Sequence, residues 1–473
     1  MSKLNASDIQ GFAIRGYNMP YARYCFLRFT SAEGARALLA KLLPLVTTGQ
    51  LWDKKPQTTL NLAFTFRGFV ALELPLATLI SFPVEFQLGM KSRAGILGDT
   101  GENAPEHWES PWQEGEVHVW LAINAMNPEA LEAQFQTVQS LLESTGGALL
   151  LGVQDASALP KDGKFTTQEH FGYTDGFGNP DYLGVCRKTQ PGQGKLSADG
   201  KTWVPLATGE LLLGYADEAG ELPVAPVPHL LAANGTFMVY RKLRQRVGTF
   251  RAFLNHWAAR YGEGDSFAKE KLASKVIGRW RDGTPVELSP DRMDQSIVQD
   301  PNRSTNFQYA KDDLAGTKCP LGAHIRRANP RDAFGFEGRL IHRRRISRRG
   351  LPYGPPAPPE DTSEGQDTEA LDATDRGIAF MALNASLARQ FEFVQQQWIS
   401  YGNDARLGNE KDLLMAHHEP GERYGIPGDG SPANPPLFCT ALPNFVKLCG
   451  GDYFFIPSIT ALGMLAMNLV DPR

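Results

Sequence analysis

A chain of 473 residues, 42% hydrophobic and 21% charged, is long enough for two globular domains. Its formal net charge of −4 argues against a nucleic-acid partner, which demands a basic surplus. No stretch approaches the ~18 consecutive apolar residues of a membrane span, so no membrane partner is expected either.

The opening residues, MSKLNASDIQGF, lack the apolar core and small-residue cleavage site of a secretory signal. Residues 22–30 (ARYCFLRFT) read as a strand, followed by a helical pattern over 32–43. A second strand at 117–124 (VHVWLAIN) runs into a helix ending near Leu142. At 223–228 the alternating prolines of PVAPVP forbid both helix and ladder pairing, which sets a boundary. Beyond it the order returns: a strand at 235–243 with a helix over 247–260, then a strand at 378–384 with a helix through Trp398. Strand and helix early, strand and helix late, is the order of a βαββαβ unit used twice. The expected fold is therefore α+β, with two ferredoxin-like modules built on antiparallel sheets, spanning residues 1–225 and 226–473. The second module is lengthened by loop-like insertions at 281–314, 351–372 and 402–436, and loops of that length usually serve a site or an interface.

Cys25, Cys186, Cys319, Cys439 and Cys449 are scattered and odd in number, without C-x-x-C spacing. Neither a disulfide framework nor a zinc site is indicated, and the missing C-x-x-C-H excludes covalently attached c-type haem. A reducing cytoplasm is the expected location.

Chemistry concentrates in three segments. Residues 319–331 (CPLGAHIRRANPR) place His324 ahead of nine arginines: Arg326, Arg327, Arg331, Arg339, Arg343, Arg344, Arg345, Arg348 and Arg349. Such local cationic density in an acidic chain calls for an anionic partner, and the two haem propionates supply carboxylates that arginine binds bidentately. A solvated basic face or a nucleic-acid patch is the plainer alternative, but Leu340, Ile341 and Ile346 interrupt the run in a strand-like way. Residues 170–180 (HFGYTDGFGNP) set Asp175 among Phe171, Tyr173 and Phe177, with Gly176 leaving the backbone free to approach something flat and bulky. Residues 346–354 (ISRRGLPYG) bring Arg348 and Arg349 to a rigid turn, whereas the aromatic strand at 450–458 (GGDYFFIPS) signals core packing alone. A histidine, a carboxylate and a guanidinium make sense together around haem. Imidazole ligates iron, a carboxylate moves the proton of bound peroxide, and a guanidinium stabilises charge as the O–O bond breaks.

These motifs resemble the dye-decolourising peroxidase family. Its G-x-x-D-G hallmark is matched by residues 172–176, its axial histidine by His324, and its distal arginine by Arg348, with Arg349 as the register alternative. The opening DIQGFAIRGYNMPYARYCFLRF, a GELLLGY strand at 209–215 and GGDYFFIPS also look like the longer, intracellular-type members, so the resemblance covers nearly the whole chain. It implies one non-covalent haem b per chain, held mainly by the C-terminal module, with His324 on the iron. Arg326, Gly176 and Glu392 are expected at the cofactor, and Asp175 and Arg348 as the catalytic pair. Glu392, flanked by Phe391, Phe393 and Val394, is the candidate for the carboxylate that the family places on the far nitrogen of the axial histidine. Implied partners are hydrogen peroxide and bulky aromatic donors such as anthraquinone dyes and phenols, oxidised through a ferryl-oxo haem. Dyes too large for the pocket would give up electrons at a surface Tyr or Trp, and an oligomer is left open. The rival is a haem carrier or iron-releasing protein on the same fold; Asp175 and Arg348 favour catalysis, which carriage does not need.

Overall fold

The strands form where β-branched and aromatic residues cluster, and glycine and capping residues punctuate them. In the computed structural model, which describes residues 4–261, 265–428 and 435–471, the first half runs Tyr21–Phe29 (β1), Ala32–Leu42 (α1), Thr58–Phe64 (β2), Val119–Ala125 (β3), Pro128–Thr145 (α2) and Ala148–Ser157 (β4). The Ser31 hydroxyl caps α1 by accepting the Gly34 N–H at 3.1 Å. Asn127 does the same for α2 at 2.8 Å, and Gly146, at φ 58°, ends that helix in the left-handed region.

The second half runs Thr236–Gln245 (β5), Val247–Ala258 (α3), Ser266–Ile277 (α4), His324–Ala328 (α5), Ser347–Tyr353 (β6), Gly377–Asn384 (β7), Val446–Ile456 (β8) and Ile459–Met467 (α6). The strands of both halves join in one eight-stranded sheet, ordered β6-β7-β5-β8-β2-β3-β1-β4, with every pair antiparallel. Each half has the 4-1-3-2 strand order of a ferredoxin-like unit, so the α+β duplication read from the pattern is what the chain forms. The halves meet edge to edge where Phe455 of β8 lies opposite Phe64 of β2. The outer strands β6 and β4 also approach each other, which curls the sheet toward a barrel. Docking of α6 on α1 ties the C-terminal helix to the first half.

Local structure departs from the pattern in three places. The GELLLGY segment is a one-turn 3-10 helix followed by turns rather than a strand; Leu211, Leu212 and Leu213 are buried as loop residues, because core burial there does not need a ladder. Residues 339–342 form a short helix, so the strand-like reading of the arginine run holds only from Ser347 onward. The helix through Trp398 is wound as π-helix over Ala388–Glu392 and Val394–Ile399. The insertion at 402–436 contains the strand Arg423–Ile426, which pairs with Leu437–Thr440; residues 429–434 lie outside the described residues.

The double glycine of β8 has a steric reason. Gly450 sits at a register shift with φ 144°, and a Cβ there would lie 2.3 Å from Cδ1 of buried Trp112. Gly450→Ala should lower stability by about 1–3 kcal/mol through overpacking, read as an earlier urea midpoint; an unchanged midpoint would contradict this packing.

Candidate functional site

His324 opens the short helix α5, directly after the Cys319–Gly322 turn. Its Nδ1 lies 3.0 Å from Oδ2 of Asp412, a side chain with 0% exposure. The other oxygen of Asp412 accepts the backbone N–H groups of Leu414 (3.0 Å) and Met415 (2.8 Å), and its own N–H donates to Ile399 (2.8 Å). Burial works to raise this carboxyl's pKa, but His324, Arg327 and the Met415 amide outweigh it and hold it below the ordinary value. An ionised Asp412 accepts only, so the proton of a neutral His324 sits on Nδ1 and the Nε2 lone pair stays free. Buried Arg327 locks this geometry, donating to the carbonyls of Trp398 (2.6 Å), Tyr401 (2.8 Å) and Glu410 (3.1 Å).

The second pair is built on the glycine-punctuated turn around Asp175. Asp175 pairs with Arg348 on β6, with Nη1 at 3.2 Å from Oδ1, and its Oδ1 also accepts the Gly176 N–H at 2.7 Å. Arg348 donates from Nη2 to the Phe177 carbonyl at 2.9 Å. Burial pushes the Asp175 carboxyl up, yet Arg348, the Gly176 amide and His324 together bring it below the usual carboxylate range. His324 is thus close enough to act on Asp175 electrostatically. Protein crowds this wall, but the Asp175 side chain is 53% exposed, that of Arg348 36% and that of His324 26%, as expected of groups lining a cleft.

The cleft fits haem. A Cβ built on Gly176 (φ 98°) or Gly178 (φ 77°) meets no atom within 4 Å, so this turn borders open space. Arg279 and Arg345 lie near enough to Arg348 to repel it, with Arg331 beside them, and all three donate to backbone carbonyls. Burial first, then mutual repulsion with neighbouring guanidiniums, lowers Arg279 to about 9 and Arg345 to about 10. A buried cationic cluster of this kind suits a ligand that carries carboxylates.

The structure brings His324, Asp175, Gly176 and Arg348 to one cleft and leaves two expected residues elsewhere. Glu392 is not at the histidine. It accepts Arg93 through both oxygens (2.8 and 2.6 Å) and the Tyr453 hydroxyl (2.8 Å), because the π-helical winding turns it toward β8. Arg326 points away from the cleft into the protein, bonded to Asp313 Oδ2 (2.9 Å) and the Cys319 carbonyl (2.7 Å). Arg349, one residue on, faces the other side of β6 and binds the Arg15 carbonyl at 3.2 Å, so Arg348 is the arginine that meets Asp175. His170 is no substitute base, since its Nε2 contacts the Tyr353 carbonyl at 2.8 Å and burial lowers its pKa to about 4. Sequence reasoning missed Asp412; its one signal was a carboxylate directly before the apolar Leu413–Met415 run inside an otherwise polar insertion. Glu392→Ala should cost about 3 kcal/mol by stranding Arg93 while leaving a histidine-ligated haem spectrum unchanged; an altered spectrum would contradict this placement.

The family model described as the DyP dimeric alpha+beta barrel domain matches residues 8–150. Peroxidase 2 of Mycetinis scorodonius is 30% identical over 97% of this chain and 87% of its own length. The multifunctional dye peroxidase DyP2 of an Amycolatopsis species is 28% identical over 93% of this chain and 91% of its own. A solved dye-decolorizing peroxidase in complex with 2,6-dimethoxyphenol aligns at a TM-score of 0.82 and 26% identity, covering 98% of this chain and 100% of that one. Sequence shared over nearly the full length, carried on the same fold, makes this chain a member of the dye-decolourising peroxidase family.

Proposed function

We propose that this chain reduces hydrogen peroxide at a non-covalent haem b, one per chain, and oxidises bulky aromatic donors such as anthraquinone dyes and phenols. The observation that carries the reading is two side-chain pairs, Asp412–His324 and Asp175–Arg348, with His324 near enough to act on the Asp175 carboxyl. The donor class is supported by relatives named as dye-decolorizing peroxidases and by the phenol complex of a structural neighbour. Haem, when bound, supplies an iron centre able to take two oxidising equivalents from peroxide and pass them on singly.

The chain's own residues do the rest. His324 would hold the iron through Nε2, with its Nδ1 proton kept in place by Asp412. Gly176 and Gly178 leave room for a flat ring, and Arg279, Arg331 and Arg345 are the side chains suited to its carboxylates. Asp175 accepts the proton of peroxide and returns it to the departing oxygen, which leaves as water. Arg348 holds Asp175 ionised and lends positive charge where the O–O bond polarises. The modules divide at 225/226, and the five free cysteines support a reducing, cytoplasmic setting. The test is the absorption spectrum of haem-loaded protein before and after one equivalent of peroxide. A rapid change that a phenol reverses is expected; a spectrum indifferent to peroxide would leave a haem carrier.

A further inference from the structure

We propose that Asn179 is a positioning residue for Arg348, its side-chain amide clamping the main chain of β6 so that the guanidinium meets Asp175. The proposal rests on the peroxidase reading of that pair. Strand β6 is the edge of the sheet, bonded within it only to β7, where Arg348 lies opposite Ala382. The Asn179 side chain meets both outward groups of Arg348, sharing the carbonyl with Arg349 Nη1, which donates to it at 3.0 Å. Asn179 Oδ1 accepts the Arg348 N–H at 2.9 Å, and Asn179 Nδ2 donates to the Arg348 carbonyl at 3.1 Å. A side-chain amide offers a donor and an acceptor side by side, as a neighbouring strand's peptides would. Aspartate lacks the donor and glutamine overreaches by a methylene.

The two residues before Asn179 tighten the same grip. The Phe177 carbonyl accepts Arg348 Nη2 at 2.9 Å, and the Gly178 carbonyl accepts Arg345 Nη2 at 2.8 Å. Those acceptors are backbone. Asn179 is the side chain in this grip, and Pro180 after it restricts its backbone to extended conformations. It binds the main chain rather than the guanidinium, so it acts through Arg348. A guanidinium displaced by even 1 Å from its working position costs up to 10²-fold in rate.

The test combines amide exchange with a double-mutant cycle. In Asn179→Ala the Arg348 amide should exchange at least ~10-fold faster, and the peroxide-induced spectral change of the haem-loaded protein should slow roughly 10-fold. Its acid limb should also move to higher pH, because Arg348 and the Gly176 amide lower the Asp175 carboxyl against desolvation, and Arg348 would be loosened. In an Arg348→Leu background the Asn179 change should slow the peroxide step no further. Asn179→Gln, which retains both polar groups, repeats the measurement should the alanine variant not accumulate. Unchanged Arg348 exchange, or slowing that multiplies in the double variant, overturns the clamp. If Arg348→Leu alone leaves the peroxide step untouched, the peroxidase reading of the pair fails instead, and amide exchange still decides whether the clamp exists.

Discussion

Asp175→Asn should slow the peroxide-induced change of the haem spectrum by ~10²–10⁴-fold, while haem affinity falls far less. An amide keeps the shape of the carboxylate but accepts no proton from peroxide at these pH values. Haem retention rests on the opposite wall and on the buried arginines, so binding and reaction separate. The pH dependence has a definite sign. Asp175 works as a base only when ionised, and Arg348 and the Gly176 amide hold it below the ordinary carboxylate value against desolvation by the surrounding protein. The peroxide step should therefore hold its rate as pH falls through about 4, the usual aspartate range, and decline only below that. Arg348→Leu removes the main opposing charge and should move this limb upward. If dye oxidation by this chain rises in acid, the gain has to arise in electron transfer from the donor, since protonating Asp175 can only slow the first step. A peroxide step of unchanged rate in Asp175→Asn would remove the base role from this residue, and His170, facing the Tyr353 carbonyl, is poorly placed to inherit it.

Much of this site was legible in the sequence because its parts are local motifs. Asp175 and Gly176 sit in a glycine-punctuated turn, and Arg348 precedes a Gly-x-Pro-Tyr-Gly turn; the residues themselves specify the backbone that presents them. The sheet was legible too, through two rounds of strand and helix in the same order. Contacts set by long-range packing were not. Whether Glu392 or Asp412 reaches His324 depends on how the segment Ala388–Ile399 winds, and its π-helical turns rotate Glu392 onto Arg93 and Tyr453. A 3.6-residue pattern carries no sign of that rotation. Likewise the nine arginines looked like one anion-binding site, but Arg326, Arg327 and Arg343 are spent on Asp313, on backbone carbonyls and on Asp217. Composition reported the density of charge and not its distribution. Arg279, which lies outside the run, joins the cluster only through the tertiary fold.

The largest change expected on the opposite wall comes from His324 and its carboxylate. His324→Ala should lose the absorption of histidine-ligated ferric haem altogether, since the Nε2 lone pair is the ligand the geometry offers; a variant that kept that spectrum would move the iron to another group. Asp412→Asn is the finer probe. In the native protein the carboxylate can only accept, which fixes the imidazole proton on Nδ1. An asparagine can turn its NH₂ group toward Nδ1 and so favour the proton on Nε2, the atom that must bind iron. The expected outcome is a 10–100-fold loss in haem affinity or peroxide reactivity, together with a higher iron reduction potential, because a less basic imidazole stabilises the oxidised metal less. Glu392→Ala, although it breaks a buried ion pair and destabilises the fold, should leave both the potential and the spectrum in place. If the two variants exchanged these phenotypes, the carboxylate serving His324 would be Glu392 after all; the 3.0 Å contact with Asp412 argues for the opposite result.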